Sequence, residues 1–178
     1  MEELRQENMR LRAENQELRV QIHQLKRMAF EDELTQLFNR RFFKLQFERL
    51  SLDRVSLIML DIDYFKKVND TWGHLKADHI LSLVARIIKE KTRSTDIVAR
   101  WGGEEFVVLL PGASRRTAFN IGQRILQSIR ERTPVTVSMG IATAYNKNLK
   151  EEIMDRADRA LYVSKKNGRD RITAVSVN

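Results

Sequence analysis

The chain of 178 residues contains no cysteine. Disulfides and cysteine–zinc sites are therefore excluded, and a reducing, cytoplasmic setting is expected. No apolar run approaches the ~20 residues that a membrane-spanning helix needs, so no membrane partner is expected within this chain. The first residues are charged and helical in pattern, unlike a secretory leader. The glycine-rich loop ending in Lys-Ser/Thr that cradles phosphates in many nucleotide hydrolases is missing. No Ser/His/Asp nucleophile constellation stands out. His74 and His79 lie five apart, a poor spacing for two zinc ligands on one helix face. There is no internal repeat and no low-complexity tract.

Charge is plentiful but scattered. The chain carries 32 Lys/Arg against 24 Asp/Glu, a net of +8. Residues 1–30 hold six and five of these, so nearly all the excess lies beyond them. A basic balance favours anionic partners, including phosphorylated small molecules. No long basic block and no basic–aromatic stripe occurs, so nucleic acid is not an expected partner.

What is present begins with a heptad. In residues 1–28, Leu4, Leu11, Leu18 and Leu25 recur every seven residues at d, and Met1, Asn8, Asn15 and Ile22 fill a. A buried Asn at a costs stability, but it pairs with its own copy in a parallel dimer and fixes register and strand number. Glu7 and Glu14 at g face Arg12 and Arg19 at e of a partner, which is attractive in a parallel homodimer. Continued, the seam would require Ala29 and Asp32, so it fades there. Residues 1–29 are predicted as a coiled-coil dimerisation helix and 30–178 as one domain, with no Pro or Gly between them.

Along the domain, RRFFKLQFERL, ADHILSLVARIIKEKTR, SRRTAFNIGQRILQSIRER and KEEIMDRADRALYVSKKN have helical spacing. VSLIMLDID, DIVARW, EFVVLLP, PVTVSMGIAT and RDRITAV read as strands, and Gly102-Gly103 between two of them reads as a two-residue hairpin link. The alternation predicts an α+β sandwich with one mostly antiparallel sheet. Trp72 and Trp101 read as packing residues.

Strand alternation puts Asp61 and Asp63 on one face with Ile62 opposite, and makes Glu104 and Glu105 diverge. A carboxylate ending the first strand and one just after the hairpin converge if those strands are neighbours. Such a pair suits Mg²⁺, which takes oxygen ligands and is completed by water and substrate phosphates. Gly102 and Gly103 would let backbone approach a ligand closely. On these residues alone, Gly-Gly-Glu-Glu reads either as a plain hairpin with an acidic end or as a site.

Five ordered stretches bear on that choice: DELTQLFNRR (32–41), LDIDYFKKVNDTWGH (60–74), RWGGEEF (100–106), VTVSMGIA (135–142) and ADRALYVSKKNGRD (157–170). Together they resemble the GGDEF family of diguanylate cyclases over about residues 30–176, with GGEEF as a variant of the family signature. The resemblance implies a palm-like nucleotide-cyclase fold and the joining of two GTP into cyclic di-GMP with release of two pyrophosphates. Asp61 and Glu104 match the metal-binding carboxylates, and the Ile62 carbonyl matches a backbone ligand. Two Mg²⁺ per site are implied, with Mn²⁺ as an alternative. They would polarise the α-phosphate, lower the pKa of the attacking 3'-hydroxyl and hold the triphosphate. Glu105 matches a position assisting metals or proton transfer, and Asp63 reads as structural.

Asn69 and Asp78 match the family's guanine readers. An Asp accepts from guanine N1–H and N2–H₂, which adenine does not offer on that edge. Relatives that accept ATP have a changed residue at the Asp78 position, so its presence implies GTP. Lys165 and Arg169, at i and i+4, match the triphosphate-binding pair. Amides near Tyr64 and Phe65 match phosphate contacts at a helix start. Arg93 and Asp96, in RSTD, match the family's product-inhibition motif Arg-x-x-Asp, and Arg124 matches a second arginine of that site. Asp32 and Arg40 read as turn stabilisers. One departure is visible: RERTPVTVSMG is tight where family members often carry a longer segment, so a small hairpin is predicted to be missing. Because one domain holds one GTP, the implied reaction needs a homodimer.

Overall fold

The computed structural model describes residues 1–51, 53–145 and 150–177. It begins with α1 (Glu2–Phe30), 29 residues without a break and without one buried side chain. Leu4, Leu11, Leu18, Ile22 and Leu25 are each 47% exposed or more. Among the described residues nothing covers this apolar stripe.

The chain then turns tightly. Glu31 forms a single bridge with Phe38, and β1 (Phe38–Asn39) follows. The side chain of Asn39 starts α2 (Arg40–Arg49) by accepting from the Phe42 amide, and its Nδ2 donates to the Ala29 carbonyl at the end of α1. One residue thus caps one helix and fastens the other. The remaining elements are β2 (Val55–Ile62), α3 (Phe65–Lys91), β3 (Ile97–Arg100), β4 (Glu105–Pro111), α4 (Arg115–Arg132), β5 (Val137–Ala144), α5 (Lys150–Lys166) and β6 (Ile172–Val177).

Six strands form one sheet in the order β1-β3-β4-β2-β5-β6. β1 with β3 and β5 with β6 run parallel, and the three inner pairings are antiparallel, so the mostly antiparallel α+β sandwich expected from the sequence is the one found. β2 lies centrally with all eight residues buried, because both faces of the sheet are covered. Ile58, Leu60 and Ile62 join α3 and α4 in one core, while Val55, Leu57 and Met59 join α2 and α5 in the other. Asp61 continues the second row and so points to the α5 side. α5 sits directly on β5 at Gly140, where a methyl group would overlap the Ala157 carbonyl and the Leu161 amide. No residue with a side chain fits there, and this contact sets how close α5 lies to the sheet end.

Three sequence expectations need correction. β1 was not anticipated, being too short for any periodicity. The β3–β4 connection is not a two-residue Gly-Gly link: Trp101 and Gly102 donate to the Glu105 carbonyl, leaving a loop of Gly102, Gly103 and Glu104. Glu104 therefore belongs to the tip rather than to the strand. β6 begins at Ile172, because Arg169 and Asp170 sit in left-handed turn conformations that no strand contains. The tight α4–β5 connection is present, with only residues 133–136 between the two elements.

Candidate active site

Four pieces of chain end at one edge of this sandwich: the end of β2, the β2–α3 connection, the β3–β4 loop and the α5–β6 turn. The β register brings them together, since Asp61 lies opposite Glu105 on β4 and opposite Ser138 on β5. The Ile62 amide donates to the Glu104 carbonyl at 3.2 Å, holding the loop tip against the end of β2.

Asp61 is 6% exposed, and burial pushes its carboxyl above the usual range although Lys165 pulls the other way. Lys165 Nζ lies 2.7 Å from Asp61 Oδ2. Burial also raises Glu104, and the charge of Asp61 raises it further, against the pull of Lys165. Two carboxylates held together where both are disfavoured as anions favour the arrival of positive charge. Glu105 goes elsewhere: its Oε2 lies over Gly102, 2.8 Å from where a Cβ would be. The two glutamates diverge because Glu104 sits at the loop tip while Glu105 begins β4, and not through strand alternation.

Asp63 is 4% exposed and fully engaged. Thr136 Oγ1 and Ser138 Oγ each donate to it at 2.7 Å, and the Asp170 amide donates at 3.1 Å. It joins β2, β5 and the α5–β6 turn and has a structural role. Asp170 is held from the opposite side by Arg130 of α4, whose Nε lies 2.8 Å from Asp170 Oδ1. Between these fixed points, Arg169 has φ 61°, so it lies beyond α5 rather than one helical turn after Lys165. The expectation of a helical i, i+4 pair is thereby corrected. Gly168, with φ 104°, ends the helix and turns the chain. Arg169 still reaches the same place: its charge acts on Asp61, and its guanidinium lies 4.5 Å above the ring centre of Tyr64.

Tyr64 is the N-cap of α3 in the left-handed region, with φ 56° and no capping hydrogen bond from its side chain. Of the four described non-glycine residues with positive φ, Tyr64, Arg169 and Asp170 belong to this edge. Strained backbone concentrates where a geometry is being held. The first amides of α3, starting at Phe65, face an end without a side-chain cap, the arrangement that receives anions. The Phe65 side chain itself is 5% exposed and lies in the core, so only its backbone is available.

Further along, Asn69 and Asp78 both belong to α3 on either side of Gly73, whose φ of 77° and ψ of 166° interrupt the helix. Asn69 Oδ1 lies 3.1 Å from His74 Nδ1. Arg93 and Asp96 share the turn after α3: the Arg93 amide donates to Asp96 Oδ2 at 2.7 Å, and Asp96 is buried while the Arg93 side chain is exposed. Arg124 lies exposed on α4, the helix packed beside α3.

Sequence reasoning missed Arg100. Its Nη1 lies 3.2 Å from both Asp32 carboxylate oxygens, and its Nη2 donates to the Gly103 carbonyl at 2.8 Å. Nε adds the Gly102 carbonyl at 3.2 Å. Asp32 also accepts from the Thr35 amide and hydroxyl. The turn after α1 is therefore tied to the loop carrying Glu104 through one guanidinium. Arg40 stacks on Trp101 at 4.3 Å from the ring centre. Among the described residues, no three His, Cys, Asp or Glu side chains converge as a metal cage, and no helix is long and apolar enough to cross a membrane.

Comparison with known proteins converges on one family. The profile described as diguanylate cyclase, GGDEF domain, matches residues 29–171. Diguanylate cyclase A of Treponema denticola is 41% identical over 169 residues, covering 84% of this chain and 45% of the relative. Diguanylate cyclase DgcM of Escherichia coli K12 is 38% identical over 162 residues, covering 85% and 40%. The chain thus spans less than half the length of these curated relatives. Among solved structures, the coiled coil and GGDEF domain of DgcB from Caulobacter crescentus, in complex with c-di-GMP, superposes with a TM-score of 0.84 at 31% identity. That alignment covers 97% of this chain and 99% of the other.

Proposed function

The chain belongs to the GGDEF-domain family of diguanylate cyclases, and on that footing we propose that it condenses two GTP into cyclic di-GMP. Each 3'-oxygen forms a bond to the α-phosphorus of the other nucleotide, each α–β phosphoanhydride breaks, and two pyrophosphates leave with the hydroxyl protons passing to the surroundings. The observation that carries the reading is buried Asp61 with half-buried Glu104 beside it, met by Lys165 and Arg169 at one end of the sheet.

The donor set fits hard divalent cations. Asp61, Glu104 and the Ile62 carbonyl offer only oxygen, and two protein carboxylates with the rest left to water and phosphate is the pattern Mg²⁺ prefers. Two Mg²⁺, or Mn²⁺, would supply Lewis acidity at the α-phosphate and ease loss of the 3'-proton. The protein's own groups then have distinct tasks. Lys165 and Arg169 bind the triphosphate, along with the first amides of α3 near Tyr64 and Phe65. Gly102 and Gly103 keep the loop free of side chains where the nucleotide passes. Asn69 and Asp78 read guanine, and leaving those polar groups unpaired disfavours adenine. Glu105 assists from beside Gly102.

One domain carries one nucleotide, so two domains must face each other. Residues 1–29 act as a parallel coiled-coil dimeriser for the catalytic domain of residues 30–178, raising the local concentration of the second site. Arg93, Asp96 and Arg124 bind the product and hold the domains apart, giving feedback inhibition. The reaction belongs to the cytoplasm, where its GTP is supplied.

Two variants separate these roles. Glu104→Ala is expected to abolish turnover while keeping affinity for cyclic di-GMP. Arg93→Ala is expected to keep turnover and lose product inhibition. Progress curves with added cyclic di-GMP check both, and inhibition persisting unchanged in Arg93→Ala would refute the product-site assignment.

A further inference from the structure

His74 and Asn69 are in contact because the helix between them is broken. In a continuous α-helix, residues five apart point about 140° away from each other. Gly73, the interior position of α3 with non-helical backbone, removes that separation. His74 Nδ1 then reaches Asn69 Oδ1 at 3.1 Å. A Cβ at Gly73 would meet nothing within 4 Å, so the requirement for glycine there is the φ of 77° rather than space.

The direction of the bond follows from the other half of the amide. Asn69 Nδ2 faces the Phe65 carbonyl one turn back, at 3.4 Å. Oδ1 is therefore the atom turned to the imidazole, and His74 Nδ1–H donates to it. His74 is also four residues before Asp78, so the two share a face of the second half of α3. The imidazole thus spans the break at Gly73 and reaches Asn69 on the first half of α3.

We propose that His74 is a positioning residue for base recognition: it fixes the amide plane of Asn69 from across the break at Gly73. This rests on Asn69 and Asp78 being the guanine readers. A free Asn amide rotates about its last bond and offers donor and acceptor in either order. With Oδ1 held by His74, the order is set before the base arrives, and less freedom is lost on binding. In this role His74 acts only through Asn69, so its effect falls on affinity and not on the chemical step.

The test uses the full chain and the α,β-methylene analogue of GTP with Mg²⁺, titrated by calorimetry. A single neutral hydrogen bond of this kind is worth about a fivefold change in affinity. His74→Phe is expected to weaken binding about fivefold, and His74→Asn, which keeps a donor nitrogen at the Nδ1 position, to stay within about twofold of the parent. The His74→Phe, Asn69→Ala double variant is expected to bind no worse than Asn69→Ala alone, because the histidine acts only through the asparagine. In turnover with GTP, His74→Phe raises KM and leaves kcat in place. Unchanged affinity in His74→Phe, or losses that multiply in the double variant, would overturn the inference while leaving Asn69 as a reader. Unchanged affinity in Asn69→Ala would remove the reader itself, and the inference with it.

Discussion

Glu104 occupies the tip of a three-residue loop, pressed toward a buried aspartate. Both burial and the Asp61 charge raise its carboxyl above the ordinary value of 4.5. A folded-state pKa above the unfolded one means that the charged form is penalised by folding. The cost is absent at low pH and grows as pH rises through that window. Without divalent cations, Glu104→Gln is therefore expected to melt higher than the parent at pH 7.5, by a margin that solvent screening of this part-exposed group keeps small. The gap should close toward pH 4, and thermal melts across that range check it. At this scale the sequence was informative where alternation applied: Asp61, Ile62 and Asp63 could be sided from β2 alone. It was uninformative where backbone leaves regular geometry. Arg169 looked like the next helical turn after Lys165, although Gly168 was a readable stop signal. Arg100 carried no signal at all, because its partners are carbonyls of a loop and a carboxylate 68 residues away.

Elements are fixed to one another by a few specific contacts, and these were legible unevenly. The long helices and buried strands were plain from apolar spacing. The close approach of α5 to β5 was not, since only the packed structure reveals why position 140 must be glycine. Likewise the hairpin looked two residues long, because Gly-Gly is a strong turn signal. Trp101 nevertheless pairs with Glu105, its ring meeting Phe43 edge-on at 5.7 Å. The link between the turn after α1 and the active loop runs through Asp32 and Arg100. Burial raises Asp32, but bonds from Thr35 and the Arg100 charge outweigh it, so its carboxyl lies below the ordinary 3.8. A depressed folded pKa contributes stability that is present above the unfolded value and lost as pH falls through the folded one. Asp32→Asn is thus expected to cost about 1–2 kcal/mol at pH 7. That cost should fade below pH 4 in urea titrations repeated at several pH values. It should also lower turnover by loosening the loop that carries Glu104.

For the whole molecule, the heptad was the clearest feature of the sequence, and the described residues leave its seam exposed. Two domains joined by a stalk meet at an effective concentration far above that of separate domains. Replacing Leu11 and Leu18 together by Asp is expected to give monomers by light scattering. Specific activity below 1 µM, taken as about a thousandth of a tethered local concentration, should fall at least tenfold and recover as protein concentration rises. A loss that concentration cannot restore would place the stalk's role elsewhere.

The central claim is that the Asp61–Glu104 edge joins two guanine nucleotides. The most direct measurement strips bound nucleotide from the purified dimer, adds Mg²⁺ with either GTP or ATP, and identifies the products by chromatography and mass spectrometry. Cyclic di-GMP from GTP, with no dinucleotide from ATP, is the predicted result. No product from a folded dimer, or equal turnover of ATP, would contradict the account.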